Sequence, residues 1–158
     1  MLNIRAATEG DVELILQFIR DLAEYEREPQ AAVATAEDII RDGFRGTPKF
    51  RVLIAEWDGV PAGFAFYFFN YSTWIGKPGL FLEDLFVKPE LRGKGIGKAL
   101  LSELAKVAMA ENCYGMKWEV LDWNQPAIEF YEALGAKLRK EWITVRLSGE
   151  PLKDLAEI

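Results

Sequence analysis

The stretch from residue 80 to residue 110 constrains the fold more than any other part of the chain. Leu80-Phe-Leu-Glu-Asp-Leu-Phe-Val87 reads as an apolar strand, Pro89 interrupts it, and Arg92-Gly-Lys-Gly-Ile-Gly97 follows as a glycine loop. Ile96, Leu100, Leu104, Val107 and Ala108 then recur at helical spacing. Residues 116–121 give the next strand. A strand, helix, strand unit closes through a right-handed crossover, so the strands holding Glu83 and Val120 are expected to lie parallel. Residues 50–57 and 60–71 are β-branched and aromatic runs joined by Asp58-Gly59, a strong hairpin signal, and so are expected to pair antiparallel. The fold class implied is α/β (α+β): a mixed, mostly antiparallel twisted sheet flanked by helices, with two parallel strands at its centre.

Around that unit, Thr8-Glu-Gly-Asp11 carries a capping pattern ahead of Val12, Ile15, Ile19, Leu22 and Ala23, which predicts a first helix running to about Tyr25. A loop covers residues 26–34. Thr35-Ala-Glu-Asp38 opens a second, short helix with Ile39, Ile40 and Phe44, closed by Gly43, Gly46 and Pro48. Residues 124–134 predict a helix stopped by Gly135, and residues 142–147 a last strand. With 158 residues and neither repeats nor a linker, the chain is expected to form a single domain over residues 1–158.

Composition removes several function classes. The chain has no histidine and one cysteine, Cys113, which argues against zinc chemistry, a disulfide framework and a Ser-His or Cys-His nucleophile, so no metal is expected. The formal net charge of −6 argues against a nucleic-acid partner and favours a cationic small substrate. The longest apolar stretch, residues 62–69, is far short of the roughly 20 residues a bilayer requires. No membrane partner is expected, and the absence of a signal-like N-terminus points to the cytoplasm.

Three glycines alternate at the start of the helix after the loop, where unpaired backbone N–H groups and the positive end of the helix dipole face outward. A phosphate fits such a place, because glycine lets the backbone approach the oxygens and lets successive N–H groups converge; Arg92, Lys94 and Lys98 add positive charge. The spacing is neither Gly-x-Gly-x-x-Gly nor a P-loop. A plain glycine turn between strand and helix is the alternative reading of these residues alone.

Arg92-x-x-Gly95-x-Gly97, set after Leu82-Glu-Asp-Leu-Phe-Val87 and opening an amphipathic helix, resembles the acetyl-coenzyme A pyrophosphate loop of the GNAT superfamily of N-acetyltransferases. Asn124-Gln-Pro-Ala-Ile-Glu-Phe-Tyr131-Glu-Ala-Leu-Gly135 resembles that superfamily's second cofactor segment. Leu22-Ala-Glu-Tyr25-Glu26, Asp42-Gly-Phe44, Tyr71-Ser-Thr-Trp74-Ile-Gly-Lys77 and Asp122-Trp123-Asn124 are similar to the diamine (spermidine/spermine) branch, which includes thialysine acetyltransferases. The likeness runs from Ile4 to about Leu147. It departs in the loop after Glu26 and between Gly135 and Trp142, where acceptor choice is expected to differ. A small-molecule amine acceptor and a homodimer are implied, with residues 64–71 and the C-terminal tail as candidate interface segments.

The resemblance also implies site residues. Arg92, Gly93, Lys94, Gly95, Ile96, Gly97 and Lys98 would hold the pyrophosphate, while the backbone of Leu85, Phe86 and Val87 would pair with the pantetheine arm. Asn124, Pro126, Ala127 and Tyr131 would complete the cofactor site. Tyr131 would protonate the leaving thiolate; otherwise it is a core aromatic. Glu83, a charge in mid-strand, is expected to serve as base or amine ligand, or else to form a structural salt bridge. Asp84 follows it, and two successive strand residues face opposite ways unless a bulge re-aims one, a distortion that the resemblance implies here. Tyr25, Glu26, Trp74, Trp118, Glu119 and Trp142 match acceptor-site positions, where aromatic walls and acids suit an alkyl ammonium. Freeing such an amine from its proton near neutrality, from a pKa of about 10.4, costs roughly 4.6 kcal/mol, so a carboxylate route for the proton is needed. A non-catalytic acyl-coenzyme A sensor and a peptide acetyltransferase remain the other readings.

Overall fold

The computed structural model describes residues 1–158, which divide into two units, Met1–Glu119 and Val120–Ile158. The first holds a five-stranded sheet in which spatial order follows chain order. Strand β1 (Leu2–Ala6) is followed by α1 (Val12–Tyr25), α2 (Ala36–Gly43), β2 (Arg51–Trp57), β3 (Val60–Ser72), β4 (Lys77–Val87), α3 (Ile96–Ala110) and β5 (Met116–Trp118). The pairs β1–β2, β2–β3 and β3–β4 are antiparallel, and β4–β5 is parallel.

Local chemistry accounts for the turns. Asp58 and Gly59 both take positive φ, 50° and 81°, the reversal that a two-residue hairpin between right-twisted strands requires. Asp58 also receives the N-terminal ammonium, tying β1 to that turn. At the start of α1 the Asp11 carboxylate accepts from the Thr8 backbone N–H at 2.7 Å and from both Arg5 terminal nitrogens at 2.8 and 2.9 Å. The Arg5 hydrogen bonds hold its carboxyl down at about 2. Thr35 and Asp38 form the reciprocal cap of α2.

Both sheet faces are covered. Ile15, Phe18 and Leu22 of α1 and Ile39 of α2 pack with Val52, Ile54, Phe64 and Phe86, and Phe18 stacks on Phe64 at 5.2 Å between centroids. The alternate residues Ala55, Ala65 and Tyr67 are buried as well, as are Ile96, Leu100 and Leu104 of α3, which covers the opposite face. At Gly63 a Cβ would sit 2.3 Å from the Phe86 carbonyl oxygen, so β3 and β4 approach more closely there than any side chain allows. No helix is long and apolar enough to cross a membrane.

The second unit contains α4 (Gln125–Ala133) and α5 (Glu150–Ala156). Asn124 caps α4 by accepting from the Ala127 N–H at 3.4 Å, and Gly135, at φ 93°, follows its end. The strand expected over residues 142–147 is absent: that segment joins no ladder, and Ile143 and Val145 are 85% and 91% exposed. Alternation and β-branching favour an extended chain, but a strand also needs a partner backbone. Strand β5 likewise ends at Trp118, three residues short of the expected limit.

Candidate active site

The ladder between β3 and β4 slips by one residue in the middle. Leu82 lies opposite Tyr67 but Asp84 lies opposite Phe66, so Glu83 is the extra residue of a β-bulge. Strict alternation would put Leu82 and Asp84 on one face. The bulge instead leaves Leu82 on the α3 side and turns Asp84 to the side of Phe66 and Phe86, where α1 packs. Glu83 is exposed at the bulge and Asp84 is partly buried. Burial, followed by the negative charges of Glu83 and Glu26, pushes the Asp84 carboxyl up to about 7. Glu26, just beyond the end of α1, is also raised by burial. The charges of Glu83 and Glu26 thus both bear on the Asp84 carboxyl, where a cation would be welcome.

Arg92 joins this group unexpectedly. Its Nε donates to the Val87 carbonyl at 2.9 Å, and its Cζ lies 5.0 Å from the Tyr25 ring centroid and 5.4 Å from that of Phe86. The guanidinium, which the resemblance places at the phosphate cradle, is thus engaged by a strand end and two ring faces. The Lys94 ammonium lies 5.3 Å from the Trp57 ring centroid. Sequence reasoning missed Trp57 as that partner, and nothing in the spacing marks it. Lys98 remains in the first turn of α3.

The cradle itself fits a pyrophosphate. Gly93 and Gly95 both sit at φ 80°, and a Cβ on either would meet nothing within 4 Å, so the space above them is open. The N–H groups of Gly93, Lys94 and Gly95 donate to no backbone carbonyl, and no side chain caps α3. Those donors and the helix's positive end point at an anion site. Beside it, β5 pairs with β4 only at Leu80, Phe81 and Leu82, so from Glu83 onward β4 lacks a strand on that side. That side of β4 at Leu85 and Phe86 is open to another extended chain, while the Val87 carbonyl is already occupied by Arg92.

The structure brings Tyr25, Glu26, Asp84, Phe86 and Arg92 together, with Glu83 at their edge. Trp118 and Glu119 stand at the end of β5, where β4 and β5 part. Trp74 lies elsewhere, 92% exposed at the β3–β4 hairpin tip, about 20 Å along the strands from Asp84 at ~3.3 Å per residue. In the second unit Asn124, Pro126 and Ala127 form the first turn of α4, and Tyr131 lies two turns on with its ring 5.5 Å from that of Phe130. Trp142 is exposed in the segment without a strand.

Comparison with known proteins places the chain in a family. The acetyltransferase (GNAT) family model matches residues 15–136. The chain is 41% identical over 164 residues to thialysine N-epsilon-acetyltransferase of Bos taurus, covering 97% of this chain and 96% of that protein. It is 38% identical over 164 residues to spermidine/spermine N(1)-acetyltransferase-like protein 1 of Homo sapiens, covering 98% of this chain and 24% of that much longer protein. Among solved structures, an integron cassette protein from the mobile metagenome of V. cholerae superposes with a TM-score of 0.83 at 27% identity, over 99% of this chain and 98% of that one.

Proposed function

The chain belongs to the GNAT acetyltransferase family, and from that premise we propose that it acetylates a primary amine of a small cationic acceptor, of the thialysine or polyamine type, by direct transfer from acetyl-coenzyme A in a ternary complex. The observation that carries the acceptor class is the partly buried Asp84 carboxyl, under the charge of Glu26, on the α1 side of a parted sheet. An alkyl ammonium offsets the mutual repulsion of these acids, which a neutral acceptor does not.

Acetyl-coenzyme A supplies the acetyl group as an activated thioester. Gly93, Lys94 and Gly95 offer their N–H groups to its phosphates, and β4 offers its open edge to the arm. Glu26 and Asp84 attract the ammonium and orient it. Asp84, poised near neutrality, accepts one proton from the nitrogen, and Glu83, exposed at the bulge, relays it to water. The nitrogen lone pair then forms the bond to the acetyl carbon as the carbon–sulfur bond breaks. Tyr131, whose role is carried over from the resemblance of residues 124–135, gives its phenolic proton to the departing sulfur, and the second proton that the nitrogen sheds as the amide forms returns Tyr131 to its phenol through water. Holding the two reactants together supplies most of the acceleration.

The test is release of free coenzyme A across lysine analogues, polyamines, aminoglycosides and peptides. Turnover confined to small diamines and lysine-like amines supports the reading. Tight coenzyme A binding without turnover of any amine leaves a sensor instead, and preference for peptides moves the acceptor class. A homodimer and a cytoplasmic setting belong to the same reading, and light scattering of the intact chain tests the first.

A further inference from the structure

Arg92 makes contacts that reach beyond the glycine loop. It is the residue before Gly93 in the loop, its Nε is bonded to the last carbonyl of β4, and its guanidinium faces the rings of both Phe86 and Tyr25. Phe86 is two residues from Asp84 on the same side of the strand. Tyr25 is the last residue of α1, and Glu26 follows it as the C-cap. Arg27 then takes positive φ, 65°, so the chain leaves the helix abruptly at this point. One side chain therefore touches the loop, the strand edge and the helix end that carries an acceptor-side acid.

We infer that Arg92 is a positioning residue that couples the two substrates: it transmits the ordering of the glycine loop to Tyr25 and Glu26, so that the acceptor wall is fixed once the cofactor is seated. The inference rests on the acetyltransferase reading above. A loop with two glycines at positive φ is loosely held until an anion collects its N–H groups. Seating the anion restricts Arg92 at its base, and the planar guanidinium, bonded through Nε and stacked on two rings, passes that restriction on. Helix ends fray, so the last turn of α1 is the segment most responsive to an added restraint. Coupling through shared ordering is reciprocal, so amine binding should tighten the cofactor by the same factor.

The experiment is hydrogen exchange of the intact chain with and without saturating coenzyme A, for the wild type, Arg92→Lys and Tyr25→Leu. In the wild type coenzyme A should slow amide exchange at residues 93–98 and also at residues 22–27. In both variants slowing at 93–98 should persist while slowing at 22–27 is lost, because lysine keeps the charge but lacks the plane and the Nε bond, and leucine removes the ring. Calorimetry supplies the second arm: in the wild type the amine found by the panel should raise coenzyme A affinity about fivefold or more, and in Arg92→Lys that factor should fall to about one. Slowing at 22–27 that survives in Arg92→Lys overturns the inference, as does a wild type that shows none. A panel without any acetylated amine would remove the acetyltransferase reading, while the exchange comparison would still decide the role of Arg92.

Discussion

Asp84 lies opposite Phe66 while Leu82 lies opposite Tyr67, and that one-residue slip decides which of two adjacent acids faces α1. A single extra residue, Glu83, thus converts an apolar strand into a carrier of a carboxyl whose proton affinity lies near neutrality.

The first prediction concerns pH. Because the Asp84 carboxyl is pushed up to about 7 and the chain has no histidine, kcat/KM should rise with pH through that value as the carboxylate forms. Asp84→Asn should abolish this limb and lower kcat/KM by about 10²-fold or more, the scale of positioned base catalysis. Glu83→Gln should lower the rate while keeping the limb. A limb that persists unchanged in Asp84→Asn assigns the proton to another group.

The same carboxyl has a stability consequence of opposite sign. A carboxyl raised in the folded state keeps a proton that the unfolded chain releases, so folding stability should fall as pH rises from about 4 through about 7. Asp84→Asn should therefore stabilise the protein near pH 8 by on the order of 1–2 kcal/mol while costing activity. Urea denaturation at about pH 5 and about pH 8 measures both.

Asp11 behaves in the opposite way. Held at about 2 by Arg5, its carboxylate contributes stability that is present above its ordinary pKa and lost as pH falls through the folded value. Asp11→Asn should cost on the order of 1–2 kcal/mol near neutrality and much less at about pH 2, where about half of the wild-type carboxyl is itself protonated. A constant penalty across that range in urea titrations would show that shape rather than charge matters there.

Gly95 tests the cradle. Its Cβ position is open but its φ is 80°, so Gly95→Ala should cost about 1 kcal/mol of stability through backbone strain. By placing a methyl group where the phosphate belongs it should also weaken coenzyme A binding by about tenfold or more, roughly 1.4 kcal/mol. Native far-ultraviolet dichroism with unchanged calorimetric affinity would remove the phosphate assignment.

Tyr131→Phe removes one hydroxyl. If that group protonates the leaving sulfur, turnover should fall by roughly 10²-fold, about 2.7 kcal/mol of barrier. The loss should shrink with a thioester whose thiol is more acidic. Retained turnover under conditions where chemistry limits the rate makes Tyr131 a packing residue.

What the sequence made legible was what short-range chemistry controls. Asp58-Gly59 specified its hairpin because few residue pairs accept two positive φ values, and Thr35 with Asp38 specified a helix start because each satisfies the other's backbone partner. Strand β1 was missed because five residues alternate too briefly to stand out, and its order comes from pairing with β2. Residues 142–147 misled for the converse reason, carrying strand propensity without a ladder. At the site, a bulge could be expected beside Glu83 and Asp84, but the direction of each carboxyl depends on register, which adjacent residues do not encode. The ring contacts of Arg92 were illegible because its partners, Tyr25 and Phe86, lie far from the loop motif and near it in sequence respectively, and neither spacing marks the contact.

The parting of β4 from β5 after Leu82 leaves β4 from Glu83 onward without a strand on that side, the kind of edge that folded proteins ordinarily shield. Under the proposed function a pantetheine arm laid along this edge would stand in for the missing strand, and its binding would shield the backbone of Leu85 and Phe86 from edge-to-edge association.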